Sequence, residues 1–220
     1  VCSSDLAYVD VYAKVFIEQG KTEKYSYKTK RLINSNILNI SPFDESKQVV
    51  TNTFVDLDLG QCYIKKSAFN TSKQSIYTSD VKRIVKIIDT MDPTVFPTSS
   101  MLFGNDYDVT RYYVFDNGQN DYYYDHASIR LLPSAPAPQG NILVLFDYYQ
   151  HEGDGYFCLD SYDEYYGNIK PYTSKRGKTY SLRDSIDFRL SRENCVSDFK
   201  IQTFSLKPTG IAIDGSVFKR

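Results

Sequence analysis

The chain has 220 residues, enough for one large or two small domains, each with a buried core. Its 26 basic residues nearly balance 27 acidic ones and form no basic run, which argues against nucleic-acid binding, since neutralising phosphates needs a basic footprint. The longest apolar run, Ile142 to Phe146, is far too short to span a bilayer and no signal peptide is visible, so no membrane insertion is expected.

Tyrosine is the outlier, with 20 Tyr and 13 Phe against no Trp and 2 Met. Aromatic and β-branched residues suit a pleated, half-buried surface, which predicts a mainly β fold of antiparallel, sandwich-like sheets with short helical turns. Tyrosine also makes rigid contact surfaces, although most of these rings are expected simply to cover sheet faces.

In chain order, "VCSSDL" (residues 1–6) has no start methionine and matches the translated end of a common short-read sequencing adapter. It is expected to be non-coding, which makes Cys2 an artefact and the chain a fragment. The remaining Cys62, Cys158 and Cys195 form no CxxC pair and no even disulfide set, so buried free thiols are expected, as in a reducing cytoplasm. "AYVDVYAKVFIE" alternates without a break and predicts a half-buried strand, with "EKYSYKTKRLI" returning as its hairpin partner. "TFVDLDLGQCYIKK" repeats the pattern, with Val55, Leu57 and Leu59 opposed to Asp56 and Asp58. Residues 7–97 therefore read as an antiparallel β region. "SDVKRIVKIIDT" fits both helical and strand spacing, and its β-branched content favours strand. "PTVFPTSS" reads as a connection between subregions.

In the second region, residues 98–192, "TRYYVF" and "ASIRLL" read as strands flanking "FDNGQNDYYYDH", and "SAPAPQG" as a stiff connector. "NILVLFDYY" reads as a central strand buried on both faces. Ser181 and Asp184 suit the cap of a short turn before an "IDFRL" strand, and residues 193–220 read as the start of a further β segment cut mid-strand.

Candidate chemistry is weak. Asp116, Asp121, Asp125, Asp160 and Glu164 could supply the two carboxylates of a glycosidase, but nothing in the sequence pairs them, and solvated or capping roles are more common. His126 and His151 carry no zinc signature, and no nucleophile motif is present. "DNGQND" offers oxygen ligands without the calcium-loop spacing, so no metal or cofactor is expected. A turn fits the stretch better: Asp116 as an Asx turn, Asn117 and Gly118 tolerating left-handed angles, and Asn120 or Asp121 capping one helical turn through the tyrosines. Tyr122 to Tyr124 would then pack inward or meet a partner.

Taken in order, these motifs resemble a module of unknown activity in long virion structural proteins of tailed bacteriophages, of baseplate or tail-fibre type. The resemblance spans about residues 75–190. A turn matches at Asp116, Asn117, Gly118, Gln119, Asp121, Tyr123, Tyr124 and Asp125; a connector at Pro136, Ala137, Pro138 and Gly140; and a strand end at Phe146, Asp147, Tyr148 and Tyr149. A "DSY" (Asp160, Ser161, Tyr162) and an end of the form LRDxxDFR (Leu182, Arg183, Asp184, Asp187, Phe188, Arg189) complete it. Asn120 stands where the pattern has a basic residue, so no ion pair is expected from that position. The resemblance transfers no catalytic residues. It implies a non-enzymatic structural part of a virion tail, assembled in the host cytoplasm through other virion proteins and as a homo-oligomer such as a trimer. The alternative is a tail module that binds or cleaves a host-surface glycan. Arg183, Asp184, Asp187 and Arg189 are expected to form a charge network fixing strand register or a subunit contact.

Overall fold

The computed structural model describes residues 27–41, 44–153 and 155–192. The strand expected over 7–18, its hairpin pairing, Cys2, Cys195 and the segment 193–220 lie outside the described residues.

Within them the fold is mainly β. Its strands are β1 (Thr29–Ile33), β2 (Gln48–Val50), β3 (Thr53–Asp56), β4 (Gln61–Ile64), β5 (Gln74–Ser79), β6 (Val81–Asp89) and β7 (Tyr113–Asp116). They continue with β8 (Tyr123–Tyr124), β9 (His126–Leu131), β10 (Ile142–Glu152), β11 (Tyr172–Thr173), β12 (Thr179–Tyr180) and β13 (Leu190–Ser191). Helical structure is confined to 3-10 turns, such as Ser99–Leu102 and Leu182–Asp184.

β10 organises the molecule. On one edge its C-terminal half pairs with β1 and its N-terminal half with β4, all antiparallel, while β6 runs along the other edge. β3 and β2 extend the β4 side to complete a six-stranded sheet. A second, three-stranded sheet has the order β5-β9-β7. Strands from both sides of residue 97 thus share both sheets.

Alternation along β10 explains the layers. Ile142, Val144, Phe146 and Tyr148 point to the second sheet and meet Ile76, Ala127 and Ile129, while Leu143 and Leu145 point the other way against Ile88, Met101 and Leu102. Both faces are therefore covered, as the apolar run Ile142–Phe146 within "NILVLFDYY" predicts. Burying each such side chain stabilises the fold by roughly 1.5–3 kcal/mol. Within the 79–90 stretch Val81–Asp89 is a strand, as its β-branched content favours.

Three local expectations need correction. Residues 53–64 are two strands rather than one: Gly60, at φ +60, closes a tight turn by donating to Leu57 O, which puts Leu57 outside and buries Asp56. Asp56 goes inward because Lys47 and Ser41 bond its carboxylate. The tyrosine stretch is the short strand β8 rather than a capped helical turn, paired in parallel with β13. "IDFRL" contributes only Leu190 to a strand, because Asp187 and Arg189 turn inward to bond each other.

Candidate functional site

A buried polar cluster lies where the two sheets part. Ser79 pairs with β9 and Val81 with β10, so the chain changes sheets across Asp80 alone. Asp80 takes φ +52, a left-handed angle that Asp tolerates better than most residues, and is 2% exposed. Its carboxylate accepts from Lys30 Nζ at 2.6 Å and lies 2.7 Å from His151 Nε2. Gln119 Nε2 is 3.4 Å from its other oxygen. Lys30 comes from β1 and His151 from β10, and the antiparallel register sets the two residues opposite each other.

Lys30 also donates to the Tyr124 hydroxyl at 2.8 Å, and that hydroxyl donates to Asp187. Arg189 grips Asp187 through Nε and Nη2 and donates to Tyr124 Oη at 2.9 Å and to the Asn120 carbonyl at 3.1 Å. Its guanidinium lies over the rings of Tyr124 and Tyr172, with centroid distances of 4.2 and 4.5 Å. Phe157 and Tyr162 close around Lys30, their ring centroids 4.6 and 5.2 Å from Nζ. Seven polar side chains thus satisfy one another inside an aromatic wall, which the penalty for unpaired buried charge demands.

Burial pushes the Lys30 ammonium down from its ordinary value even though Asp80 faces it. Burial works to raise both Asp80 and Asp187, but Lys30 and His151 outweigh it for the first and Arg189 and Tyr124 for the second, holding both carboxyls below the usual range. Burial, then Asp80 and Asp187, drive the Tyr124 phenol well up. Because the folded Asp187 titrates below its ordinary 3.8, its contribution is fully present above about pH 4 and is lost as pH falls through the folded value. The urea midpoint should therefore fall with acidification in this range, with a shallower slope in Asp187→Asn; equal slopes would remove Asp187 from the account.

The structure divides the residues singled out in the sequence. Gln119, Tyr124, Asp187 and Arg189 belong to the cluster. Asp116 makes the expected Asx turn, accepting from Gly118 N at 3.0 Å, and Gly118 takes φ +73, whereas Asn117 keeps a negative φ. A Cβ on Gly118 would sit 2.4 Å from the Asp125 carbonyl, so only glycine fits. Asp121 accepts from the Tyr172 hydroxyl and from Lys175 N, and Asp125 pairs with Arg192. Burial deepens along the three tyrosines: Tyr122, just before β8, is 69% exposed, Tyr123 half-buried and Tyr124 sealed. The expected four-member charge network is split. Asp187 and Arg189 are buried, but Arg183 and Asp184 form a separate exposed pair at 3.6 Å, because Ser181 Oγ donates to Asp184 and holds it at the surface.

Lys30, Asp80 and His151 were not legible as a site. Lys30 is a charged residue at an inward position of a strand whose neighbours Thr29 and Arg31 face solvent, and alternation alone does not mark it.

Beside the cluster an open groove of about 630 Å³ is lined by Tyr122, Tyr172, Tyr180, Arg176, Lys178 and Phe188. Asp121 and Asp187 also reach it. Their bonding to Tyr172 and to Arg189, respectively, keeps both carboxyls below the ordinary range. Among the described residues no three His, Cys, Asp or Glu side chains converge as metal ligands. No helix among them is long and apolar enough to cross a membrane. Cys62 is a buried free thiol and Cys158 a half-buried one.

Comparison with protein-family models, with curated proteins and with solved structures finds no match.

Proposed function

We propose that this chain is a non-enzymatic structural module of a bacteriophage tail, baseplate or fibre protein, acting through protein–protein assembly. The observation that carries this reading is the meeting of two separated motifs. The DNGQ turn and the LRDxxDFR end converge on one buried Arg189–Asp187–Tyr124 network, and beside it Tyr122, Ile186 and Phe188 stand 69, 61 and 70% exposed along the same groove. Motif residues spent on internal architecture, next to exposed aromatic and aliphatic anchors with an arginine and a lysine at hand, suit a contact surface.

The groove's carboxylates argue against glycan cleavage. Glycoside hydrolysis needs one carboxylic acid protonated near neutrality, and both Asp121 and Asp187 are held in the ionised form. Glycan binding without cleavage is the second reading, favoured by Tyr122, Tyr172 and Tyr180 on one concave wall.

The test is the double variant Ile186→Ser, Phe188→Ser in the full chain. Self-association by sedimentation, or co-assembly with the virion proteins encoded beside it, is expected to be lost, while the unfolding midpoint changes little because both side chains are exposed. Undiminished assembly would sink this face as the contact. Glycan-array binding that disappears in Tyr180→Ala would favour the second reading instead.

A further inference from the structure

We propose that Lys30 and Asp80 condense to an amide, covalently stapling β1 to the corner between β5 and β6. The inference stands independently of the assembly reading. Burial separates this pair from the other lysine–carboxylate pairs of the described residues. Lys47, Lys82 and Lys86 also reach carboxylates, but their side chains are 37, 17 and 19% exposed, so water reaches all three. The Lys30 and Asp80 side chains are 1 and 3% exposed, and Nζ rests 2.6 Å from Oδ2.

An ion pair sealed in this way is held against a desolvation cost of several kcal/mol per charge. Moving one proton along the short Nζ–Oδ2 hydrogen bond replaces it by a neutral amine and a neutral carboxylic acid, the two partners that amide formation needs. A lysine desolvated among aromatic rings is an activated nucleophile, and its fixed position beside the acid supplies the entropy that slows this reaction in water.

The neighbouring groups fit the remaining transfers. Nζ bonds to the Asp80 carboxyl carbon as the bond from that carbon to Oδ2 breaks. Oδ1, facing Gln119 Nε2, stays as the amide oxygen. Oδ2 takes one proton from Nζ and a second from Nε2 of His151 in its imidazolium form, 2.7 Å away, and leaves as water, with His151 left as a neutral imidazole. The other proton shed by Nζ passes to the Tyr124 hydroxyl, which hands its own to Asp187. Exchange with solvent returns a proton to His151 and removes the one on Asp187. The balance is an ammonium and a carboxylate giving one amide and one water, with no oxidant, reductant or co-reactant.

Intact-mass spectrometry of the full chain decides the matter. The expected mass is lower than the sequence mass by one water, and proteolysis should release a branched peptide in which the Lys30 segment is joined to the Asp80 segment. Lys30→Met and Asp80→Ala should each run at full sequence mass. If either fails to fold, the wild-type spectrum still rules. A wild-type chain at full sequence mass overturns the proposal, and so does a water loss mapped elsewhere, such as a succinimide at Asp154–Gly155 or Asp214–Gly215. Tyr124→Phe keeps the ring and removes the relay hydroxyl. It should leave a larger full-mass fraction than wild type soon after synthesis, and equal fractions would overturn the relay through Tyr124.

Discussion

Replacing Arg189 by Met is expected to destabilise the fold by about 3–5 kcal/mol, the cost of leaving one partner of a buried ion pair uncompensated. Arg189 is 7% and Asp187 8% exposed, so little water is at hand to take over from the lost guanidinium. The change strips Asp187 of its bidentate partner and the Asn120 carbonyl of a donor at 3.1 Å. It also empties the space between the Tyr124 and Tyr172 rings, which the flat guanidinium fills. Arg189→Lys should recover only part of the loss, since an ammonium keeps the charge but cannot form the two-pronged contact. The double variant Arg189→Met, Asp187→Leu should regain much of it, because the loss comes mainly from the stranded carboxylate rather than from the bond. Urea unfolding midpoints of the four proteins measure this. A single Met variant as stable as wild type would mean that the network carries no net stability.

This residue also shows where sequence reading succeeds and where it stops. β10 was legible because a strand covered on both faces favours apolar side chains on each, so the five apolar residues Ile142–Phe146 in a row have one natural place in a sheet protein. The Asp116–Gly118 turn was legible because local bonds make it: an Asx carboxylate and a glycine at positive φ need no partner from elsewhere. Asp187 and Arg189 were visible as a charge pair, but not their depth, because their burial depends on Tyr124 and Tyr172 arriving from distant segments. Lys30 lay beyond reach altogether. Its inward position follows from pairing with β10 more than a hundred residues later, and nothing local distinguishes it from its neighbour Arg31. Residues 53–64 failed for the opposite reason: apolar alternation continued through Leu57 and Leu59 across what is a tight turn, so the pattern was right for each strand and silent about the break.

A comparable loss, about 3–6 kcal/mol, is expected from Asp89→Ala, since each buried backbone N–H left without an acceptor costs about 1–3 kcal/mol. The "SAPAPQG" connector explains why so much depends on one side chain. Its prolines bring no N–H groups, so the connector's attachment falls to the residues that follow them. Gln139 N and Gly140 N both donate to the Asp89 carboxylate, at 2.8 and 2.7 Å, and Asn141 N donates to Thr90 Oγ1 at 2.8 Å. Met91 N adds a third bond to Asp89 at 2.8 Å, and Asp89 is only 3% exposed. Only glycine fits at position 140, because a Cβ there would lie 2.3 Å from Thr90 Oγ1 and 2.5 Å from Asp92 N. Asp89→Asn keeps one acceptor but turns an amide N–H₂ toward a backbone donor, so about half of the effect should remain. Hydrogen exchange separates this loss from general destabilisation. In Asp89→Ala the Gln139 and Gly140 amides should lose protection before those of Val144 and Phe146 in β10. If all four open together, the carboxylate is holding the sheet as a whole rather than clamping the connector that feeds β10.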